Sequence, residues 1–477
     1  MDFPIFHLDG MGNRLLIAVV AIVHVIINHP LAVGIYPLLT LLEWKGKRTG
    51  DPRWDEFAKR VTFVVLIITT SFGALTGVGI WLSTALVSPF AIGSLLRIFF
   101  WGWFTEWLVF ITEVVLILAY YLTWDSWREG RAKQYHLGLG AAVSLFSWLT
   151  MCIIVAILGF MMDPGAWKEN AQFWSAVLNP IYLPQLAFRT TFALTTAGLF
   201  AGFMLGITFW KDAEFRGQAM RFVSCWTLIW LPLCGLASWW YLERVPDAMV
   251  NLIPIGMMTQ QFADWQDEFL WITVSVLGFI GVTALAGALV PRRIPRFVLL
   301  LPFLFGIVLL GQFERVREFI RKPYVIADYM YSNGVRVDEV AFYKKNGILP
   351  YSTFVTAHEV TPENKLLVGR DVFAISCSRC HTTNGINGIV AKFDKLYGGE
   401  SWDAQQMKVF LDGMHMSHPY MPPFPGNDQE AEAMIAYLQD LKGNPSMLEG
   451  AQVAGIPPAG ERMSPENALS DSVSRAN

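Results

Sequence analysis

Five consecutive residues late in the 477-residue chain, Cys377-Ser-Arg-Cys380-His381, have the types and spacing to hold an iron porphyrin covalently. Two thiols three positions apart add to the vinyl groups of a c-type haem, and the imidazole that follows is placed under the iron as its axial ligand. Half of a zinc site is the competing chemistry. Zinc needs a second ligand pair, and Cys152, Cys225 and Cys234 all lie in apolar segments, where cysteine reads as a small buried residue. A low-spin carrier also needs a sixth ligand, often a methionine sulfur. The stretch "GMHMSHPYMPPFPGNDQEAEAMIAYLQDLKG" offers Met414, Met416, Met421, His415 and His418. Met421 is preferred, because it stands roughly forty residues after His381 in a Met-Pro-Pro-Phe setting before a helical segment at Gln429–Leu441; Met416 and His418 stay open.

A second set of residues is notable for where it sits. Ionisable side chains in hydrocarbon are costly and are kept for a purpose. Those in or beside apolar segments are His24, His29, Glu106, Glu113, Arg189, Glu314, Arg315, Arg317, Glu318 and Arg321. Glu106 and Glu113 are about two turns apart and share a helix face, which suits proton transfer or pairing with a hydroxyl or backbone group. His29 lies roughly 140° around the helix from His24, so the two do not reach one iron easily unless Pro30 kinks the helix.

The elements that position these groups follow from composition. The chain is 54% hydrophobic and 16% charged, with a mean hydropathy of +0.40, well above a soluble domain. Eight segments have membrane-spanning length: approximately Leu15–Leu42, Val61–Val87, Leu95–Thr123, Leu137–Met161, Pro184–Trp210, Ala219–Leu242, Phe269–Val290 and Phe297–Gln312. The first is too long for a signal peptide's apolar region and is expected to be retained. Basic loops at Lys45–Arg60, Arg128–Lys133, Lys211–Arg221 and Pro291–Arg296 alternate with loops poor in Lys and Arg, which places the basic loops in the cytoplasm and both termini outside. A net charge of −3 gives no electrostatic footprint for nucleic acid. The expected fold is all-α: a transmembrane bundle at 1–313, an extracytoplasmic connector at 314–361, a soluble helical cytochrome c domain at 362–443 and a disordered tail at 444–477.

At this point two families come into view. The segment Gly369–Gly443 is similar to the small monohaem cytochromes c, in which such a methionine precedes the final helix. "RLLIAVVAIVHVI" (Arg14–Ile26), "FTEWLVFITEVVLILAYY", "ILGFMMDPGAW" and "EFIRKPYVIADYM" (Glu318–Met330) together resemble the large haem-bearing subunit of cytochrome bd quinol oxidase. The last segment resembles that family's Glu-x-x-Arg-Gln-Pro-Trp motif with Lys322 and Tyr324 in place of Gln and Trp. The resemblance implies that His24 and Glu318 are axial ligands of two non-covalent high-spin haems, b or d, near the outer face. Each iron then keeps an open position for O2. Arg14 and Arg321 suit haem propionates, with interfacial anchoring as the alternative. A membrane partner subunit is implied as well.

The departures shape the functional expectation. The fifth segment has Arg189 near the position of the family's low-spin histidine and no histidine of its own; the seventh has no methionine. The loop that forms the family's quinol site is shortened to Glu243–Asp267. Electrons are therefore expected from a periplasmic cytochrome or redox enzyme through haem c to the membrane haems and on to O2, in a bacterial inner membrane. The alternative is a relay without O2 chemistry, between membrane quinol and a periplasmic protein.

Overall fold

The computed structural model describes residues 3–4, 6–257, 266–398 and 402–443; the tail at 444–477 lies outside them. Among the described residues eight helices are long and apolar enough to cross a membrane: Asn13–Thr49, Pro52–Val87, Phe100–Leu122, Ala132–Met162, Tyr182–Thr208, Ala213–Leu242, Trp271–Leu289 and Phe297–Ile320. Local chemistry sets several of their ends. Gly50, at φ 69°, closes the first helix in the left-handed conformation that glycine adopts without strain. Asp51 then caps the second by accepting from the Arg53 amide at 2.9 Å, with Pro52 in the first helical position. Asp212 caps the sixth in the same way through the Phe215 amide.

The bundle is built around the fifth helix, whose residues Ala193–Phe200 are buried throughout. The first helix meets it at Gly34, where a Cβ would fall 2.0 Å from the Ala193 carbonyl oxygen, so only glycine permits the crossing. Pro30, lacking an amide hydrogen, sits just before this contact, and the helix widens into a π segment over His29–Gly34. The four basic loops gather at one end of the bundle. There Arg53 reaches Asp212 at 3.3 Å and Lys59 reaches Asp125 at 2.6 Å.

The eighth helix runs on through Glu314, Arg317 and Glu318 to Ile320, beyond the apolar stretch that hydropathy counts. These charges pair along and across helices, which is why the helix does not stop at them. A short hairpin follows, Tyr324–Ile326 against Met330–Tyr331, tied to the fourth helix by the Ala327 amide and the Met161 carbonyl.

The soluble domain carries helices Lys365–Ser376, Ile389–Tyr397, Ala404–Ser417 and Asp428–Gly443. Its first and last helices cross closely at Gly369, where a Cβ would lie 2.0 Å from the Ala433 carbonyl oxygen. Phe373 packs on Tyr437 at the same crossing, with ring centroids 6.1 Å apart. Asn427 and Glu430 form a capping box, and the Glu430 carboxylate also accepts from the Ile348 and Leu349 amides. Ile348 and Leu349 belong to this domain's core, so its packing begins ahead of residue 362.

This domain is docked on the bundle end opposite the basic loops. The Asp9 carboxylate accepts from the Thr383 amide and hydroxyl, each at 2.7 Å, and the Ile386 amide donates to the Gly10 carbonyl. Tyr420 lies 5.9 Å from Phe319 of the eighth helix, centroid to centroid.

Candidate functional site

Cys377, Cys380 and His381 follow directly on helix Lys365–Ser376, where the helix unwinds and the amides of Cys380 and His381 donate back to the Cys377 carbonyl. The imidazole is oriented by its Nδ1, 3.3 Å from the Asn387 carbonyl oxygen, which leaves Nε2 as the ligating edge. Burial pushes the Cys377 thiol up to about 12. Burial acts on Cys380 too, but Lys322, Arg379 and Arg14 outweigh it and leave that thiol below its ordinary range. The geometry fits a covalent haem c. His381 is pushed down to about 4 by burial, so its ring is neutral and able to ligate.

The candidate sixth ligands fall in different surroundings. Met421 is half-buried, and its backbone is fixed by His415, whose Nδ1 donates to the Met421 carbonyl at 2.6 Å. Met416 is 90% exposed, with its side chain in solvent. His418 sits between the Phe410 and Tyr420 rings, with Nδ1 2.9 Å from the Ser417 hydroxyl.

Toward the membrane, Glu318 stands on the last turn of the eighth helix, and Arg321 donates to both of its oxygens at 2.7 and 2.9 Å. Arg14, at the start of the first helix, lies 5.0 Å from the Phe319 ring centroid. His24 is deeper, roughly 15 Å along the helix from Arg14. Its Nδ1 is 3.1 Å from the Thr76 hydroxyl, and its Cε1 edge lies over Gly77, where a Cβ would come within 3.2 Å. The ring is half-covered by protein, and the Asn28 side-chain amide nitrogen lies 3.0 Å from its Nδ1 and 3.3 Å from its Nε2.

Several buried N–H groups near this end have no hydrogen-bond partner among the described residues: Arg317 Nη1, Arg321 Nε, and Nε and Nη1 of Arg379. Buried guanidinium groups are suited to carboxylates. The residues thus fit the propionates of haem.

Arg189 does not offer an axial ligand. Its guanidinium is fully buried, donating to His29 Nε2 at 2.9 Å and to Glu314 at 2.7 Å, and Glu314 also accepts from Arg317. Because a guanidinium can only donate, His29 accepts, and its Nε2 lone pair is engaged there. His29 belongs to this network and not to the iron that His24 would serve.

Glu106 and Glu113 lie on the third helix. Glu113 is buried and accepts from Ser147 at 2.7 Å and Thr150 at 2.9 Å, both on the fourth helix; Glu106 is half-buried, one step nearer the cytochrome c end. Closer to the basic end is a cluster that the hydropathy filter passes over. Glu43 is fully buried with His136 Nδ1 at 2.6 Å, Lys133 Nζ at 2.8 Å and the Tyr120 hydroxyl at 2.8 Å, and Lys133 also pairs with Asp55. His136 Nε2 faces the Tyr120 carbonyl and so must carry a proton. A second proton therefore lies between Nδ1 and the Glu43 carboxylate. Its sequence signal, Lys133-x-x-His136 at a helix start, is too common to single out.

Residues 13–246 match the family model described as cytochrome bd terminal oxidase subunit I, and residues 364–438 match that of cytochrome c oxidase, cbb3-type, subunit III. Among solved structures, the bd oxidase from Geobacillus thermodenitrificans aligns with a TM-score of 0.56 at 16% identity, over 67% of this chain and 89% of that one. At that identity the likeness speaks for the fold alone. No curated protein matches. The chain joins a membrane domain resembling subunit I of cytochrome bd oxidase to a cytochrome c domain, and is a multi-pass haem protein of electron transfer.

Proposed function

We propose that the chain takes electrons from a periplasmic donor at haem c and passes them to two membrane haems, at His24 and Glu318, to reduce O2 to water. One observation carries this reading: the haem c motif sits on the exit of the eighth helix. Lys322 and Arg14 act electrostatically on Cys380, and Tyr420 of the cytochrome c domain packs on Phe319, the residue after Glu318. The domain is docked where the electrons are needed.

Bound haem supplies one-electron chemistry and, where the protein gives a single axial ligand, an open iron position for O2. The chain's own residues do the rest. One Glu318 oxygen would hold the iron while the other keeps its bond from Arg321, as a second partner holds a ligating carboxylate. His24 would hold the iron through Nε2, with the Asn28 amide, 3.3 Å from that nitrogen, turning to the Nδ1 side. O2 reduction takes up one proton per electron, and Glu106 and Glu113 would deliver them. The Glu43–His136 pair, holding its shared proton toward the basic end, is the entry side of that route. Those basic loops face the cytoplasm by the positive-inside rule, with the cytochrome c domain in the periplasm of a bacterial inner membrane. Exposed aromatic and aliphatic faces, such as Trp101, Phe104, Trp107 and Leu108, suit lipid or a second membrane subunit.

A relay without O2 chemistry, linking membrane quinol and a periplasmic protein, is the second reading. The Arg321–Glu318 pair favours it, since a carboxylate with both oxygens engaged by one guanidinium nitrogen needs no iron. A reduced-plus-CO difference spectrum of the purified protein separates the two. Oxidase chemistry requires a CO-reactive membrane haem and O2 uptake with reduced cytochrome c as donor. If CO leaves the spectrum unchanged, the relay stands.

A further inference from the structure

Around the contact between the cytochrome c domain and the eighth helix, buried positive charge exceeds negative. Arg317, Arg321, Lys322 and Arg379 are each less than a tenth exposed, and Arg14 joins them from the first helix. Two carboxylates face them. Glu314 is shared between Arg189 and Arg317, and Glu318 is taken by Arg321. That leaves Lys322 and Arg379 without a carboxylate of their own among the described residues, and Arg379 has two buried N–H groups with no partner. Uncompensated buried cations are strongly unfavourable. A site of this kind is complete only when anions enter it.

Arg379 comes from the soluble domain, between the two haem-binding cysteines. Lys322 comes from the membrane domain, four residues after Glu318. The two act on one another and both act on Glu318, so the cluster straddles the domain boundary. We infer that Arg379 and Lys322 form a carboxylate clamp across that boundary, in which Arg379 of the cytochrome c domain holds a propionate of the membrane haem at Glu318. The inference rests on the proposed haem at Glu318. The clamp would fix the separation of haem c from that haem and place one cation beside both. Arg379 is thus a positioning residue for electron transfer.

The test uses the full-length holoprotein. Haem c remains attached through Cys377 and Cys380 in every variant, so its spectrum reports folding independently. A cation beside a haem disfavours the oxidised, more positive iron, so Arg379→Gln should lower the midpoint potentials of haem c and of one membrane haem together in spectroelectrochemical titration. Loss of that membrane haem from a protein with an intact haem c spectrum and melting temperature is the stronger form of the same result. Arg379→Lys should restore most of the shift. Lys392→Gln, which removes a charge that acts on His381, should move haem c alone. If Arg379→Gln also moves haem c alone, or moves neither with both haems present, the clamp is overturned and the proposed function survives. If the unaltered protein holds no membrane haem, both fall together.

Discussion

At the scale of single residues, two assignments are tested by what stays bound. Replacing His24 by Ala should remove one membrane haem in a pyridine haemochrome count while haem c remains; an unchanged count ends its assignment as a ligand. Met421→Ala should open the sixth position of haem c, so that its reduced spectrum responds to CO; the same response from Met416→Ala would shift the assignment there. Arg189 is a matter of stability. Removing one partner of a buried ion pair typically costs about 3–5 kcal/mol. Arg189→Ala should fall toward the lower end of that range, because Arg317 still serves Glu314, and denaturation in detergent measures it. The haem c residues were legible in the sequence because five consecutive positions carry their whole chemistry. The proposed roles of His24 and Glu318 cannot be read from their own neighbours; they rest on the order of several weak segments along the chain. Glu43 and His136 escaped because each is ordinary at a helix end, and only their 2.6 Å contact gives them meaning.

At the scale of elements, the segment before the first helix acts as a strap. Burial pushes the Asp9 carboxyl up, but hydrogen bonds from His7 and Thr383 outweigh this and bring it down to about 2 from 3.8. A carboxyl lowered on docking contributes stability that is complete above its free value and lost as pH falls toward the docked one. Protection of the Thr383 and Ile386 amides from hydrogen exchange, taken relative to the free-chain rate at each pH, should therefore hold from neutrality to about pH 4 and fall between there and about pH 2. Asp9→Ala should give fast exchange at neutral pH already. An Asp9→Ala variant as protected as the parent would show that the strap does not hold the domain. The eighth helix taught a related lesson. Hydropathy ends it near Gln312, but intramembrane pairing among Arg189, Glu314 and Arg317 lets it run to Ile320 and bring Glu318 under the cytochrome c domain.

For the whole molecule, orientation is the property most open to direct test. In right-side-out vesicles, added protease should release a haem-staining C-terminal fragment, and in inverted vesicles it should not; the opposite pattern would reverse the assigned topology and the direction of proton uptake with it. The number of spans, their order and the place of the cytochrome c motif were determined by the sequence alone, because span length, loop charge and Cys-x-x-Cys-His are properties of contiguous residues. What only the tertiary structure decided is which distant residues meet. His29 and Arg189 are 160 positions apart, Arg189 and Glu314 are 125 apart, and Asp9 and Thr383 are 374 apart. No periodicity in a chain encodes a pairing over such distances. It arises when helices pack, and a buried charge must then find whichever partner the packing has brought within reach.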